Sequence, residues 1–249
     1  MSGHNKWSSI KHKKAAADAA KGKVFTKVVK EITVAARMGG GDPVHNPRLR
    51  SAISAAKAAS MPSANIERAI KKGTGELEGL HYEEIVYEGY GPGGVAIMVE
   101  ATTDNKNRTN TEVRTAFNKL NGNLGSAGCV SYMFKHRGVF VFNKANTHED
   151  KLMEFALEIG ADDVIPDEDI IIVYTEPSKY YEIKDLFDKQ TSFTYESTEL
   201  TKVSETRTKV EQRDAETLAK LIDKLDDLDD VQNVYHNVEL DDTFLNAMG

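Results

Sequence analysis

The apolar residues of this 249-residue chain change their spacing once, and that change limits the folds open to it. Up to about residue 75 they return every three or four positions, as on an amphipathic helix. Beyond residue 79 runs with a period of two appear, as on a half-buried strand, with helical stretches between them. In residues 24–38, Val24, Phe25, Val28, Val29, Ile32, Ala35 and Ala36 form one stripe. Gly39-Gly40-Gly41-Asp42-Pro43 then ends the helix, because glycine tolerates the left-handed cap and proline cannot continue the ladder. A second helix is expected over residues 47–60, where alanines at 52, 55, 56, 58 and 59 permit close packing. A third runs from Pro62 to Gly73 and buries Ile66, Ala69 and Ile70, which completes a small helical bundle.

After residue 79, segments 84–88 and 95–101 read as strands joined by the hairpin Gly89-Tyr90-Gly91-Pro92-Gly93-Gly94. Asp104 and Asn105 open a helix with the stripe Val113, Ala116, Phe117 and Leu120, and residues 129–134 supply a further strand, giving ββαβ. From Gly138 a second rhythm reads strand 139–142, helix 149–159, strands 163–165 and 170–175, helix 179–189 and an extended run 193–203. That is βαββαβ, the ferredoxin-like order. The closing helix 214–226 and strand 231–238 have no partners unless they return to the ββαβ module. The expected fold is therefore α+β and multidomain. It has an N-terminal helical bundle (1–75) and a discontinuous two-layer α/β domain (76–134 plus 206–249), with a ferredoxin-like two-layer domain (135–205) inserted in the latter.

Charge divides along the same border. Residues 1–75 hold 11 Lys and 4 Arg against four acids, a net +11, whereas the remaining 174 residues hold 17 basic and 35 acidic groups, a net −18. A basic head on an acidic body suits a polyanionic partner. The expected contacts are Lys6, Trp7, Lys11, His12, Lys13 and Lys14 in the arm, Lys21, Lys23, Lys27 and Lys30 along the first helix, and Arg48 and Arg50 beyond the glycine break. Lysines neutralise phosphates, an aromatic ring can stack on an unpaired base, and arginine grips phosphate with two bonds. Trp7 has two readings of equal standing, a stacking platform or a staple holding the arm to the bundle.

Other chemistries find little support. Gly91-Pro92-Gly93-Gly94 leads into a strand and not a helix N-terminus, so it is no phosphate cradle. Position 152 is Leu, so His148-Glu149 does not begin a zinc-protease motif, and Gly125-Ser126-Ala127-Gly128 misses the nucleophile elbow. The acids at 162–163, 167–169 and 226–230 lack a calcium loop's glycine and terminal glutamate, and read as solvated helix ends. Cys129 is the single cysteine, so neither an internal disulfide nor a thiolate zinc site is open to the chain, and a reducing compartment is expected. With 40% hydrophobic and 29% charged residues and only 6 Pro the chain is globular, and no apolar run reaches the ~20 residues of a membrane span. No enzyme activity, catalytic residue, cofactor, metal or membrane partner is expected, and the expected location is the cytoplasm.

Taken in order, several words of the first half resemble the YebC family, which includes the PmpR-type regulators and a mitochondrial translational activator of cytochrome oxidase. They are Gly3-His4-Asn5-Lys6-Trp7, Ile10-Lys11-His12-Lys13-Lys14, Asn46-Pro47-Arg48-Leu49-Arg50, Met61-Pro62, and Asn65-Ile66-Glu67-Arg68-Ala69-Ile70-Lys71-Lys72-Gly73. Further on come Tyr87-Glu88-Gly89-Tyr90-Gly91-Pro92-Gly93-Gly94-Val95, Thr102-Thr103-Asp104-Asn105, Asn107-Arg108-Thr109 and Gly122-Asn123-Leu124-Gly125. Asn5 stands where the family more often has Ser. From residue 138 the likeness is one of pattern. The resemblance implies three domains, one inserted in another, and a cytoplasmic, non-enzymatic role in gene expression. It also implies a DNA-binding transcriptional regulator first, and a ribosome-associated, RNA-binding translation factor relieving stalls at proline-rich stretches second. A hydrolase working in an interdomain cleft is the remote third reading.

Overall fold

The computed structural model describes residues 18–167 and 169–248. The chain divides into two compact units, one formed by residues 132–207 and the other by the described residues before and after that stretch.

In the larger unit, helices α1 (Asp18–Gly39), α2 (Pro47–Ala58) and α3 (Ser63–Thr74) form the bundle. Asn46 caps α2 through its side-chain oxygen and the Leu49 N–H, while its amide nitrogen donates to the carbonyls of Ala35 and Gly40, closing the glycine-rich turn. Ile32, Ala35, Ala36, Leu49, Ala52, Ala56, Met61, Ile66 and Ala69 are the buried core of the bundle. Small residues let α1 and α3 approach closely, and Gly73 shows how closely. A Cβ there would sit 2.4 Å from the Thr33 carbonyl oxygen and 2.7 Å from Ala36 Cβ. Gly73→Ala is therefore expected to lower stability by about 1–2 kcal/mol. The overpacking cost of about 1–3 kcal/mol outweighs the up to ~1 kcal/mol gained in helix propensity. A urea midpoint equal to or above the parent's would contradict this.

The first sheet follows. Strands β1 (Glu83–Tyr90) and β2 (Ala96–Thr103) pair as an antiparallel hairpin, helix α4 (Lys106–Lys119) crosses over, and β3 (Asn123–Leu124) pairs antiparallel to β1. The chain then leaves for the smaller unit and returns as α7 (Gln212–Asp226), β8 (Val231–His236) and the short α8 (Asp242–Met248). Strand β8 lies antiparallel to β2, which gives the order β3-β1-β2-β8 with a bulge at Gln232. Helices α4 and α7 bury Val113, Ala116, Phe117, Leu218, Leu221, Ile222 and Leu225.

The smaller unit runs β4 (Phe134–Asn143), α5 (Glu149–Glu158), β5 (Asp163–Pro166), β6 (Ile170–Thr175), α6 (Tyr180–Lys189) and β7 (Ser197–Ser204). Its antiparallel sheet has the order β5-β6-β4-β7, the ferredoxin-like arrangement. The core is aromatic: Phe140 lies 5.1 Å from Phe187 and 5.4 Å from Tyr180, ring centre to ring centre.

One expected strand is corrected. Residues 129–134 do not form it, because the Glu88 carboxylate accepts from the N–H groups of Gly128, Val130 and Ser131 at 2.7–2.8 Å and holds that stretch as a loop. Backbone donors spent on a side chain are not available to a ladder. The third strand of the sheet is instead the two-residue β3, and Phe134 opens β4 of the other unit.

Candidate nucleic-acid interface

Positions 23, 27 and 30 are separated by four and three residues, so their lysines lie along one face of α1. Opposite them stand the end of α7 and the acidic turn into β8. Lys23 Nζ lies 3.0 Å from Asp227 Oδ1, an exposed pair. Lys27 Nζ donates to the Asp226 carbonyl at 2.8 Å and lies 3.3 Å from its carboxylate. Asp226 is the last residue of α7, where orphan carbonyls and the negative end of the helix dipole favour a cation. Lys30 is 6% exposed, and its ammonium meets Asp230 Oδ1 at 2.6 Å and the Asp229 carbonyl at 2.8 Å. The ammonium groups of Lys23, Lys27 and Lys30 thus reach carboxylates and carbonyls of the same chain, and Lys30 presents no open surface to a phosphate.

Asp230 is the centre of this contact, at 2% exposure. Its Oδ2 faces the hydroxyls of Thr109 at 2.7 Å and Thr103 at 3.0 Å, and the Arg108 guanidinium at 2.7 Å through Nη2 and 3.2 Å through Nε. Burial alone would raise its pKa. The hydrogen bonds from Lys30, Thr109 and Arg108 outweigh burial and hold the carboxyl at about 2. Arg108 also meets Asp104 at 2.7 Å, and Asn105 caps α4 through the Arg108 N–H. Within residues 102–109, the end of β2 and the first turn of α4 therefore form the cradle of Asp230. The expectation that the acids at 226–230 are solvated helix ends fails at this residue.

Arg48 forms a second tie. Its guanidinium binds Glu31 through Nε at 2.6 Å and Nη2 at 2.9 Å, and Glu84 through Nη2 at 2.7 Å, which joins α2, α1 and β1 and raises the Arg48 pKa. Arg50 is half-buried on α2, and Lys21 lies in the opening turn of α1. Lys6, Trp7, Lys11, His12, Lys13 and Lys14 lie outside the described residues. On the bundle, Lys57, Arg68, Lys71 and Lys72 are exposed, the last three along one face of α3. A cleft of about 570 Å³ opens beside the Asp230 contact, lined by Lys23, Tyr82, Asp104, Arg108, Glu112 and Asp229 among others. Among the described residues no group of three or more His, Cys, Asp or Glu side chains could hold a metal ion, and no helix is long and apolar enough to cross a membrane.

The sequence signal for the Asp230 contact was a match of spacing: a lysine row stepping four and three, and an acidic run of similar length two hundred residues later. Each was visible alone, whereas their pairing depended on the return of β8 to β2.

The larger unit, a helical bundle clasped to an α/β sheet, is interrupted in sequence by residues 132–207, and the chain matches known proteins over most of its length. Residues 5–76 match the TACO1/YebC protein N-terminal domain and residues 82–238 the TACO1/YebC second and third domain. The chain is 57% identical over 240 residues to a probable transcriptional regulatory protein of Trichlorobacter lovleyi, covering 96% of each chain. It is 58% identical, with the same coverage, to one of Geobacter sulfurreducens, and 55% identical over 249 residues to one of Syntrophobacter fumaroxidans, covering 100% of both. The solved structure of the conserved hypothetical protein Aq1575 of Aquifex aeolicus superposes with a TM-score of 0.78 at 49% identity, covering 89% of this chain and 91% of that one. The chain belongs to the TACO1/YebC family.

Proposed function

We propose that the protein is a non-enzymatic, nucleic-acid-binding regulator of gene expression that acts on transcription through DNA. The observation that carries this reading is the charge partition, +11 on residues 1–75 against −18 on the rest. The names of the relatives, probable transcriptional regulatory proteins, support it. Lys23, Lys27 and Lys30 are engaged with the acidic turn, so the surface assigned to phosphates is the arm, with Lys6, Lys11, Lys13 and Lys14, together with Lys57, Arg68, Lys71 and Lys72. Lys23 and Lys27 join it only if the acidic turn gives way. Trp7 amid lysines favours a second reading, contact with structured RNA on the ribosome, because an indole can stack on an unpaired base.

The test compares duplex DNA, ribosomal RNA fragments and whole ribosomes side by side at physiological salt. Removing residues 2–16 takes away the four arm lysines. It is expected to weaken binding at least tenfold and to reduce the slope of log K against log salt by about 3 to 4 on duplex DNA. Unchanged affinity and slope in the shortened protein would refute the assignment to the arm, and a preference for ribosomes over duplex DNA would favour the second reading.

A further inference from the structure

Helix α4 offers a surface that the charge argument does not use. Asn107, Asn110, Arg114 and Asn118 follow one another at three, four and four residues, so they form a single row along the helix. All four are exposed, on a different face from the buried Thr109, Val113, Ala116 and Phe117, so the row is open to solvent. No carboxylate interrupts it, although residues 76–249 carry 35 acids, and the helix's single acid, Glu112, lies off the row. Lys106 and Arg108 are engaged by Glu83, Asp104 and Asp230, which leaves Arg114 as the cation of the row, with Lys119 exposed at the helix end. Asparagine is a poor former of a helix interior, so Asn110 on the solvent face weakens α4, whereas Asn107 and Asn118 lie in its first and last turns. A merely solvated face would favour Glu, Lys or Ala. Local rules broken without a structural return mark functional positions.

We propose that this face of α4 reads base edges in the major groove of duplex DNA. The proposal rests on the nucleic-acid reading above and adds the element that would give it sequence discrimination. An asparagine amide matches adenine N6 and N7, a guanidinium matches guanine O6 and N7, and the B-form major groove admits one helix. From residue 107 to 118 the row spans about 16 Å, or about five base-pair steps. The row carries no aromatic ring for stacking on single strands, and the A-form major groove is too narrow for side chains to read, so duplex DNA is the occupant it fits.

The experiment is selection from a random duplex DNA pool by the full-length protein, followed by affinities for the enriched and a scrambled sequence. The intact protein is expected to enrich a motif of about five base pairs. The triple variant N110A/R114A/N118A should lower the enriched-to-scrambled affinity ratio tenfold or more while binding scrambled DNA within about threefold of the parent. R114K, which keeps the charge and loses the planar fork, should lose preference at a guanine position alone. Thermal melting is the control for folding, and exposed Asn→Ala changes should leave the midpoint equal or higher. Binding of duplex without enrichment, or a triple variant that keeps the full ratio, overturns the proposal and leaves polyanion binding by the head intact. Failure of the intact protein to bind duplex at all overturns both. Equal loss of enriched and scrambled binding by a folded triple variant would make the row a phosphate contact and refute base reading.

Discussion

Asp230→Ala is expected to destabilise the protein by about 3–5 kcal/mol, the usual cost of removing one partner from a buried ion pair. The carboxylate is 2% exposed and receives Lys30 at 2.6 Å, two threonine hydroxyls and the Arg108 guanidinium. Its loss leaves the Lys30 ammonium, itself 6% exposed, with no carboxylate and only the Asp229 carbonyl and the Tyr82 ring, 5.9 Å away, as neighbours. The penalty then arises mostly from the stranded cation and less from the attraction removed. Asp230→Ala combined with Lys30→Met should consequently recover part of the loss, since methionine leaves no cation stranded beside the missing carboxylate. The measurement is urea unfolding of parent, single and double variants. A single variant within 1 kcal/mol of the parent would show that water replaces the carboxylate freely and that the contact is not a keystone.

The same carboxyl sets the acid response. Its folded pKa of about 2 lies below the ordinary 3.8, so the folded state binds this proton less readily than the unfolded chain. The stabilisation is complete above pH ~4 and fades as pH falls through about 2, amounting to about 2 kcal/mol by linkage. In Asp230→Ala this part of the acid sensitivity disappears, so parent and variant should approach one another in stability toward pH 2.

Periodicity alone exposed the helical bundle, the hairpin and the βαββαβ run, because each depends on local repeats of 3.6 or 2 residues. Asn105 as helix cap and the glycine-rich stop after residue 38 were legible for the same reason: both act within a few residues of themselves. What escaped depended on partners far away in sequence. Residues 129–134 have strand composition, yet Glu88, forty residues earlier, claims their N–H groups. The lysines at 23, 27 and 30 have the spacing of a phosphate-binding row, yet the acidic turn two hundred residues later takes them up. Neither outcome is encoded in a window of sequence. The second follows once β8 pairs with β2, which brings the turn at 226–230 to the end of the sheet where α1 stands.

Deleting residues 206–249 is expected to unfold the larger unit, whereas replacing residues 135–203 with a short Gly-Ser linker should leave that unit folded. The deletion removes α7 and β8. With them go the buried Leu218, Leu221, Ile222 and Leu225, the neighbour of the almost wholly buried β2, and Asp230 itself. At roughly 1.5–3 kcal/mol for each buried aliphatic side chain, four such losses alone reach the 5–15 kcal/mol that holds a typical domain together. The replacement removes more residues but breaks fewer bonds that matter to the larger unit. Phe134 and Ser204 are register partners across the antiparallel β4–β7 pair, so the chain leaves and returns at neighbouring points that a few residues can bridge. Re-entry is fixed beyond this point by the Thr208 N–H to Asn237 carbonyl and the Glu239 N–H to Thr208 carbonyl bonds, which lie wholly within the larger unit. Circular dichroism and urea melting of the two shortened proteins decide the matter. A cooperative, parent-like transition in the truncated chain would mean that α1–β2 folds without β8. Loss of cooperativity in the linker variant would mean that the smaller unit supplies stability across its two junctions. The bond pattern predicts neither, because the ladder that closes the first sheet and the network around Asp230 are drawn from residues before 132 and after 207 alone.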